Sequence, residues 1–173
     1  KSWLQKEKMD WLRLYAKKIM RKVNKVNFKK TLGKFTTGIT IVCVKEDDQV
    51  YGKTVNSFNS LSLDPPMVLF SLGNYSSSIK NFLSCKYLTI NILSYGQKNI
   101  SNHFSTKNPI SKNINFLKGK NNTALIDGCI GNLECKLIDK IKQGDHIIFI
   151  CKVIRVQSKD KIKPLSYFNS KYY

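Results

Sequence analysis

The segment Tyr51–Leu72 reads Y-G-K-T-V-N-S-F-N-S-L-S-L-D-P-P-M-V-L-F-S-L. It opens as a short strand-like run, passes into small polar residues, halts at Asp64-Pro65-Pro66 and resumes as an apolar run from Met67 to Leu72. Thr54, Asn56, Ser57, Asn59, Ser60 and Ser62 place short hydrogen-bonding side chains between Val55, Phe58, Leu61 and Leu63. Polar and apolar residues do not alternate cleanly, so this is not a simple half-buried ribbon. Each proline fixes its own φ and pushes the preceding residue toward extended backbone. The expected product is a rigid strand–loop–strand unit that turns backbone N–H groups and hydroxyls toward something flat and polar.

The flanking sequence supplies more strands. Upstream, Phe28 to Lys34 reads as a short helix, and Phe35-Thr36-Thr37-Gly38 leads into a strand over residues 39–44. Its β-branched and small residues fill both faces, as a barrel strand would. Glu46-Asp47-Asp48 predicts a hairpin turn back to Gln49 and Val50. Downstream, Gly73 to Phe82 is a serine-rich loop opening a short helix, whose first turn leaves N–H groups free and favours an anion. A plain serine N-cap is the commoner meaning of the same residues. Tyr87 to Leu93 predicts a strand. Gly96 to Phe104 predicts a helix with Ile100 and Phe104 on one side and His103 on its surface. Ser105 to Thr123 reads as a long polar loop with a helical turn, a lid or partner contact, because long loops in compact domains are often functional. Ile130 to Ile141 alternates moderately, Gln143 to His146 is a turn, and Ile147 to Val156 returns as an apolar strand. Lys159 to Tyr173 is a basic, aromatic tail.

Composition limits the function classes. A chain of 173 residues suits one domain of ordinary size. Lys+Arg 30 against Asp+Glu 11 gives a formal charge of +19. Such a balance favours anionic partners, whether nucleic acid, acidic membrane surface or phosphorylated small molecule. The lysines are scattered rather than clustered, and a compositional bias of the whole genome produces the same pattern. Five cysteines form no C-x-x-C pair and no zinc spacing. They read as reduced core thiols in a reducing compartment, the cytoplasm or an organelle. No run of about 18 apolar residues is present to span a membrane. Paired-carboxylate signatures, a serine elbow, G-x-G-x-x-G and metal clusters are all missing from the sequence. That poverty suits a protein whose cofactor carries the reaction.

Lys1 to Asn27 reads as one basic amphipathic helical extension preceding a domain over 28–173. Leu4, Trp11, Leu12, Tyr15, Ile19, Val23 and Val26 recur at helical spacing, with lysines and arginines opposite. It packs on the domain or a dimer partner, lies on an anionic membrane, or is the remnant of a targeting segment. Glu7 and Asp10 run against a transit peptide, and packing is the favoured reading.

The central segment resembles the flavin reductase-like domain, the FMN-binding split barrel of NAD(P)H:flavin oxidoreductases. In that family a strand ending in G-x-T-A-N-S leads through S-x-S-L-D-P-P to an apolar strand. Gly52-Lys53-Thr54-Val55-Asn56-Ser57 and Ser60-Leu61-Ser62-Leu63-Asp64-Pro65-Pro66 stand at the matching positions, with Val55 where the family often has a smaller residue. Phe28, Gly33, Phe35, Thr37 and Gly38 match the family's opening segment, with Lys29 replacing an arginine. Asn91, Ile92, Leu93, Gln97, Ile100, Ser101 and Phe104 match a second segment. Gly144-Asp145-His146 reproduces the family's G-D-H, followed by Cys151 where glycine is usual. Pro164 to Phe168 resembles the closing segment.

The resemblance implies a mainly β, antiparallel, six- or seven-stranded split barrel with Greek-key-like connections, peripheral helices and a homodimer. It implies FMN as cofactor, with FAD or riboflavin as alternatives, and NADH or NADPH as hydride donor. Backbone donors of Thr54, Val55, Asn56 and Ser57, or a lysine, would meet charge near flavin N1. Ser60 and Ser62 would bond the flavin edge or ribityl chain, and Ser76, Ser77 and Lys80 would hold the phosphate. Thr37 and Phe104 join the cofactor set at their matched positions. His146 is the catalytic-site candidate, orienting the nicotinamide rather than acting as a general base. Three functions stand at this point. One is a flavin reductase serving a partner oxygenase or other acceptor. Another is an FMN electron carrier of the same fold. The last is a basic nucleic-acid- or membrane-binding module on a barrel scaffold.

Overall fold

A computed structural model describes residues 23–106 and 113–173. The chain divides into one unit ending at Phe35 and a second running from Thr36 to Tyr173. Most of the helix expected over Lys1–Asn27 lies outside the described residues. In the described part of the first unit, Val23 and Asn24 are not helical, and α1 runs Lys25–Leu32. Asn24 Oδ1 caps it, accepting from Val26 N at 2.9 Å and Asn27 N at 3.3 Å. An asparagine side chain satisfies otherwise free first-turn donors, so the boundary falls at Asn24 rather than at Asn27/Phe28.

The second unit is mainly β and antiparallel. Its strands are β1 (Thr37–Gly38), β2 (Thr40–Glu46), β3 (Gln49–Val55), β4 (Asn59–Leu63), β5 (Pro66–Gly73), β6 (Tyr87–Ile92), β7 (Phe116–Lys118), β8 (Ala124–Ile126), β9 (Gly131–Gln143), β10 (His146–Ser158), β11 (Ser166–Phe168) and β12 (Lys171–Tyr172). Helices α2 (Ile79–Ser84) and α3 (Lys98–Phe104) complete it. The main sheet has seven strands in the order β3-β2-β6-β9-β10-β5-β4. Among the described residues no ladder joins β3 to β4, so both are edges.

Strand β2 is buried on both sides, which its continuous apolar sequence requires. Val42 and Val44 pack into a core with Phe70, Phe82 and Phe149. Phe70 and Phe149 stack at 5.1 Å between centroids, and Phe82 meets both edge-on. Ile41 and Cys43 face a second core with Leu93, Phe104 and Ile126. All five cysteines are free thiols, four of them buried. Buried Asn91 ties the second core together. Its Nδ2 donates to Ile41 O at 3.0 Å, while its Oδ1 accepts from Ile126 N at 3.0 Å and from Asn132 Nδ2 at 2.8 Å. No helix among the described residues is long and apolar enough to cross a membrane.

Three expectations are corrected. The polar stretch before the prolines is not a loop: Asn59–Leu63 pairs with β5, with a register shift between Ser60 and Ser62. The segment read as one long loop contains β7, which pairs with β8 around Asn121 and Asn122. Both asparagines have positive φ, which tight hairpin turns require and asparagine tolerates. The tail is also structured. β11 and β12 join β1 in a three-stranded sheet, with Thr37 opposite Tyr167.

Candidate functional site

A cleft of about 750 Å³ opens beside the end of β3. Its walls are Lys53 to Ser57, the end of β5 at Ser71 to Gly73, the following Tyr75-Ser76-Ser77, Ser105-Thr106 after α3, and His146 at the start of β10. The central segment supplies two walls because Asp64-Pro65 turns the chain back: β4 and β5 pair, and the end of β5 returns beside Ser57. Ser57 fastens that return, its Oγ donating to Ser71 O at 3.1 Å and accepting from Ser71 N at 3.0 Å. Asn74 N donates to Asp145 O at 3.0 Å, joining the serine loop to the β9–β10 turn. Gly144, at φ +58°, makes that turn, and His146 stands opposite Gly73 in the β5–β10 ladder.

Gly52 has a packing reason. A Cβ there would lie 2.5 Å from Phe104 Cε1, so only glycine lets β3 approach α3 this closely. Thr54 Oγ1 then donates to Ser101 O at 2.6 Å, and Lys53 Nζ donates to Thr106 O at 2.6 Å. Burial lowers the Lys53 ammonium below the ordinary lysine value. His146 is half-exposed, and its Nδ1 lies 2.7 Å from Asp145 Oδ1. Ser76 Oγ is buried and has no hydrogen-bond partner among the described residues. A buried hydroxyl without a partner costs stability, so its placement beside a cleft is chemically informative.

The fold brings seven expected site residues together on the cleft: Thr54, Val55, Asn56, Ser57, Ser76, Ser77 and His146. Two of their hydroxyls, on Thr54 and Ser57, are engaged by the backbone and act as ties between elements. Five expected residues lie outside the lining. Phe104 is fully buried in the second core, where it serves as the floor under Gly52. Thr37 sits on β1 in the small sheet, with a buried Oγ1 of its own that lacks a partner among the described residues. Ser60 and Ser62 belong to the paired edge strand β4, and Lys80 is an exposed residue of α2. The expected set omitted Lys53, Ser71, Leu72, Gly73, Tyr75, Ser105 and Thr106. Lys53 carried a readable signal, being a lysine between Tyr51 and Val55 on the face of β3 that strand periodicity turns toward the larger core.

Among the described residues the lining contains no carboxylate and no metal-ligating cluster. The profile of the flavin reductase like domain matches residues 32–173. The chain belongs to the flavin reductase-like domain family. Among curated members it is 33% identical over 137 residues to the FMN reductase (NADH) SmoA of Agrobacterium fabrum, covering 79% of each chain. It is 34% identical over 157 residues to the reductase component of the flavin-dependent trigonelline monooxygenase of Acinetobacter baylyi, covering 89% of this chain and 50% of that one. Among solved members, the NADH:FAD oxidoreductase SgcE6 of Streptomyces globisporus superposes with a TM-score of 0.82 at 26% identity, covering 87% of this chain and 92% of that one. Flavin reductase PheA2 superposes with a TM-score of 0.80 at 29% identity, covering 87% and 97%.

Proposed function

We propose that the protein is an NADH-dependent flavin reductase that passes reduced flavin to a partner oxygenase. The observation that carries this reading is the cleft itself: among the described residues it is free of carboxylates and is edged by the Ser76 hydroxyl, which has no partner there. Those features fit a flat, phosphorylated heterocycle. A negatively charged ligand meets no like charge there, and Ser76 Oγ gains the partner it lacks. Flavin supplies the hydride-accepting centre, so the protein need supply only binding, orientation and exclusion of water.

Each part of the lining then has a task. β3 pairs with β2 on one side only, so among the described residues no strand lies against the outer side of the backbone that ends at Val55, and Asn56 and Ser57 continue it beyond the ladder. Ser76, with Ser77, holds the phosphate. His146, steadied by Asp145, orients the nicotinamide by hydrogen bonding rather than acting as a general base. The finer architecture we infer is a Greek-key-like split barrel over residues 28–173, paired as a homodimer.

The relatives named for a nucleotide specify NADH, which supports that donor over NADPH. Several relatives are named as reductase components of two-component monooxygenases, which supports an oxygenase as acceptor. The test is steady-state NADH oxidation by pure protein with and without added FMN. Catalytic turnover of added FMN supports a reductase. A tightly held flavin that never exchanges while NADH is consumed would instead identify an electron carrier, and absence of flavin binding would end both readings.

A further inference from the structure

Lys53 breaks the local pattern of its strand. Tyr51 and Val55, its neighbours on the same face, pack against the larger core, and its cross-strand partner Val42 is fully buried. An apolar residue would satisfy that position, and local rule-breaking of this kind concentrates at functional sites. Lys53 is partly buried at the cleft, and its ammonium is bonded to the neutral carbonyl of Thr106. His146, the other ionisable nitrogen in the lining, already has the Asp145 carboxylate. Among the described residues Lys53 has no carboxylate partner, and no carboxylate lines the cleft. Desolvation without an anion lowers its affinity for a proton.

We propose that Lys53 is the charge-balancing residue of the cleft: its ammonium meets the negative charge that hydride transfer adds to a bound flavin. The protein therefore holds reduced flavin more tightly than oxidised flavin. This rests on the flavin reductase reading. The charge balance follows from the reaction: the nicotinamide C4–H bond breaks with its electron pair, a bond to flavin N5 forms, and the nicotinamide becomes cationic. One negative charge is left on the isoalloxazine, without uptake of a proton. Oxidised isoalloxazine is neutral, so a lysine directed at the ring discriminates between redox states. A lysine directed at the phosphate would not, because the phosphate has the same charge in both. The serine loop already provides for the phosphate at Ser76, whose hydroxyl has no partner among the described residues.

The test measures dissociation constants for oxidised and reduced FMN under anaerobic conditions, for the wild type, Lys53→Met and Lys53→Arg. Methionine keeps the apolar stem, and arginine keeps the charge. Riboflavin, which has no phosphate, serves as a second ligand. Lys53→Met should weaken reduced FMN by roughly tenfold to a hundredfold, the worth of a hydrogen bond to a charged group, with little change for oxidised FMN. The two-electron midpoint of the bound flavin should accordingly fall by about 30–60 mV. Riboflavin should show the same differential, and Lys53→Arg should restore most of it. Equal weakening of both redox states, or a loss confined to FMN, would overturn the proposal and mark Lys53 as a phosphate or packing residue. Flavin binding by the wild type, with FMN-dependent NADH oxidation, would still leave the reductase reading standing in that event.

Discussion

Replacing Gly52 with alanine tests whether the cleft wall depends on contact between β3 and α3. The added Cβ would sit 2.5, 2.6 and 3.1 Å from three carbons of the Phe104 ring. Ordinary contact requires the ring to recede by about 1 Å. Phe104 is fully buried among Ile39, Leu93, Ile126 and Leu165, so it cannot swing into solvent. Overpacking of this kind costs about 1–3 kcal/mol. In a chain of this size each kcal/mol moves Tm by about 2–4 °C, so Gly52→Ala should melt roughly 2–12 °C lower. The companion change Phe104→Leu removes ring volume and costs about 1–2 kcal/mol alone through the cavity it leaves. The two lesions compensate in space, so the double variant should be more stable than the sum of the singles predicts, by about 0.5–3 kcal/mol. Urea melts of the four proteins supply the cycle. Additive losses would show that Gly52 is not held by Phe104, and the packing account of the G-K-T segment would fall.

Ser76→Ala removes a hydroxyl that has no protein partner, so the free protein should be as stable as the wild type or slightly more so, while FMN affinity falls by about 5–20-fold in a fluorescence titration. Loss of stability without loss of affinity would contradict the assignment. Arg155→Met strands the buried Glu134 carboxylate, whose other partner is Thr123 Oγ1 at 2.7 Å, and chemical denaturation should show a loss of about 2–4 kcal/mol that Glu134→Gln in the same background partly recovers. Burial raises the Cys85 thiol to about 11 and the Cys129 and Cys135 thiols to about 12. The folded state therefore keeps protons that the unfolded chain releases above pH 9. Each thiol's contribution is complete below that pH and declines at up to about 1.4 kcal/mol per pH unit as the pH rises toward the folded value. The urea midpoint should fall between pH 9 and pH 11, and fall less in a Cys85→Ala variant.

The strands with continuous or alternating apolar residues were legible because one buried face dictates their register; β2, β5, β6 and β10 are of this kind. The two-residue turns at Asp47-Asp48 and Gly144-Asp145 were legible from their residue types. β7, β11 and β12 are three residues long or less, too short for an alternating pattern to show, and β11 in addition takes its place through the distant strand β1. The cleft was legible where chain order and space coincide, at Thr54–Ser57 and at Ser76-Ser77. It was not legible where distant segments converge, as when Ser105 and Thr106 come to Lys53 through a main-chain carbonyl. Thr54 and Ser57 show the converse limit: hydroxyls facing a site in sequence order were already committed to Ser101 and Ser71.

The most direct test is a crystal structure of the wild-type protein grown with FMN. Flavin density should lie in the cleft against the backbone of Thr54–Ser57, with the phosphate within hydrogen-bonding distance of Ser76 Oγ. Flavin bound at any other surface, with this cleft filled only by solvent, would contradict the account.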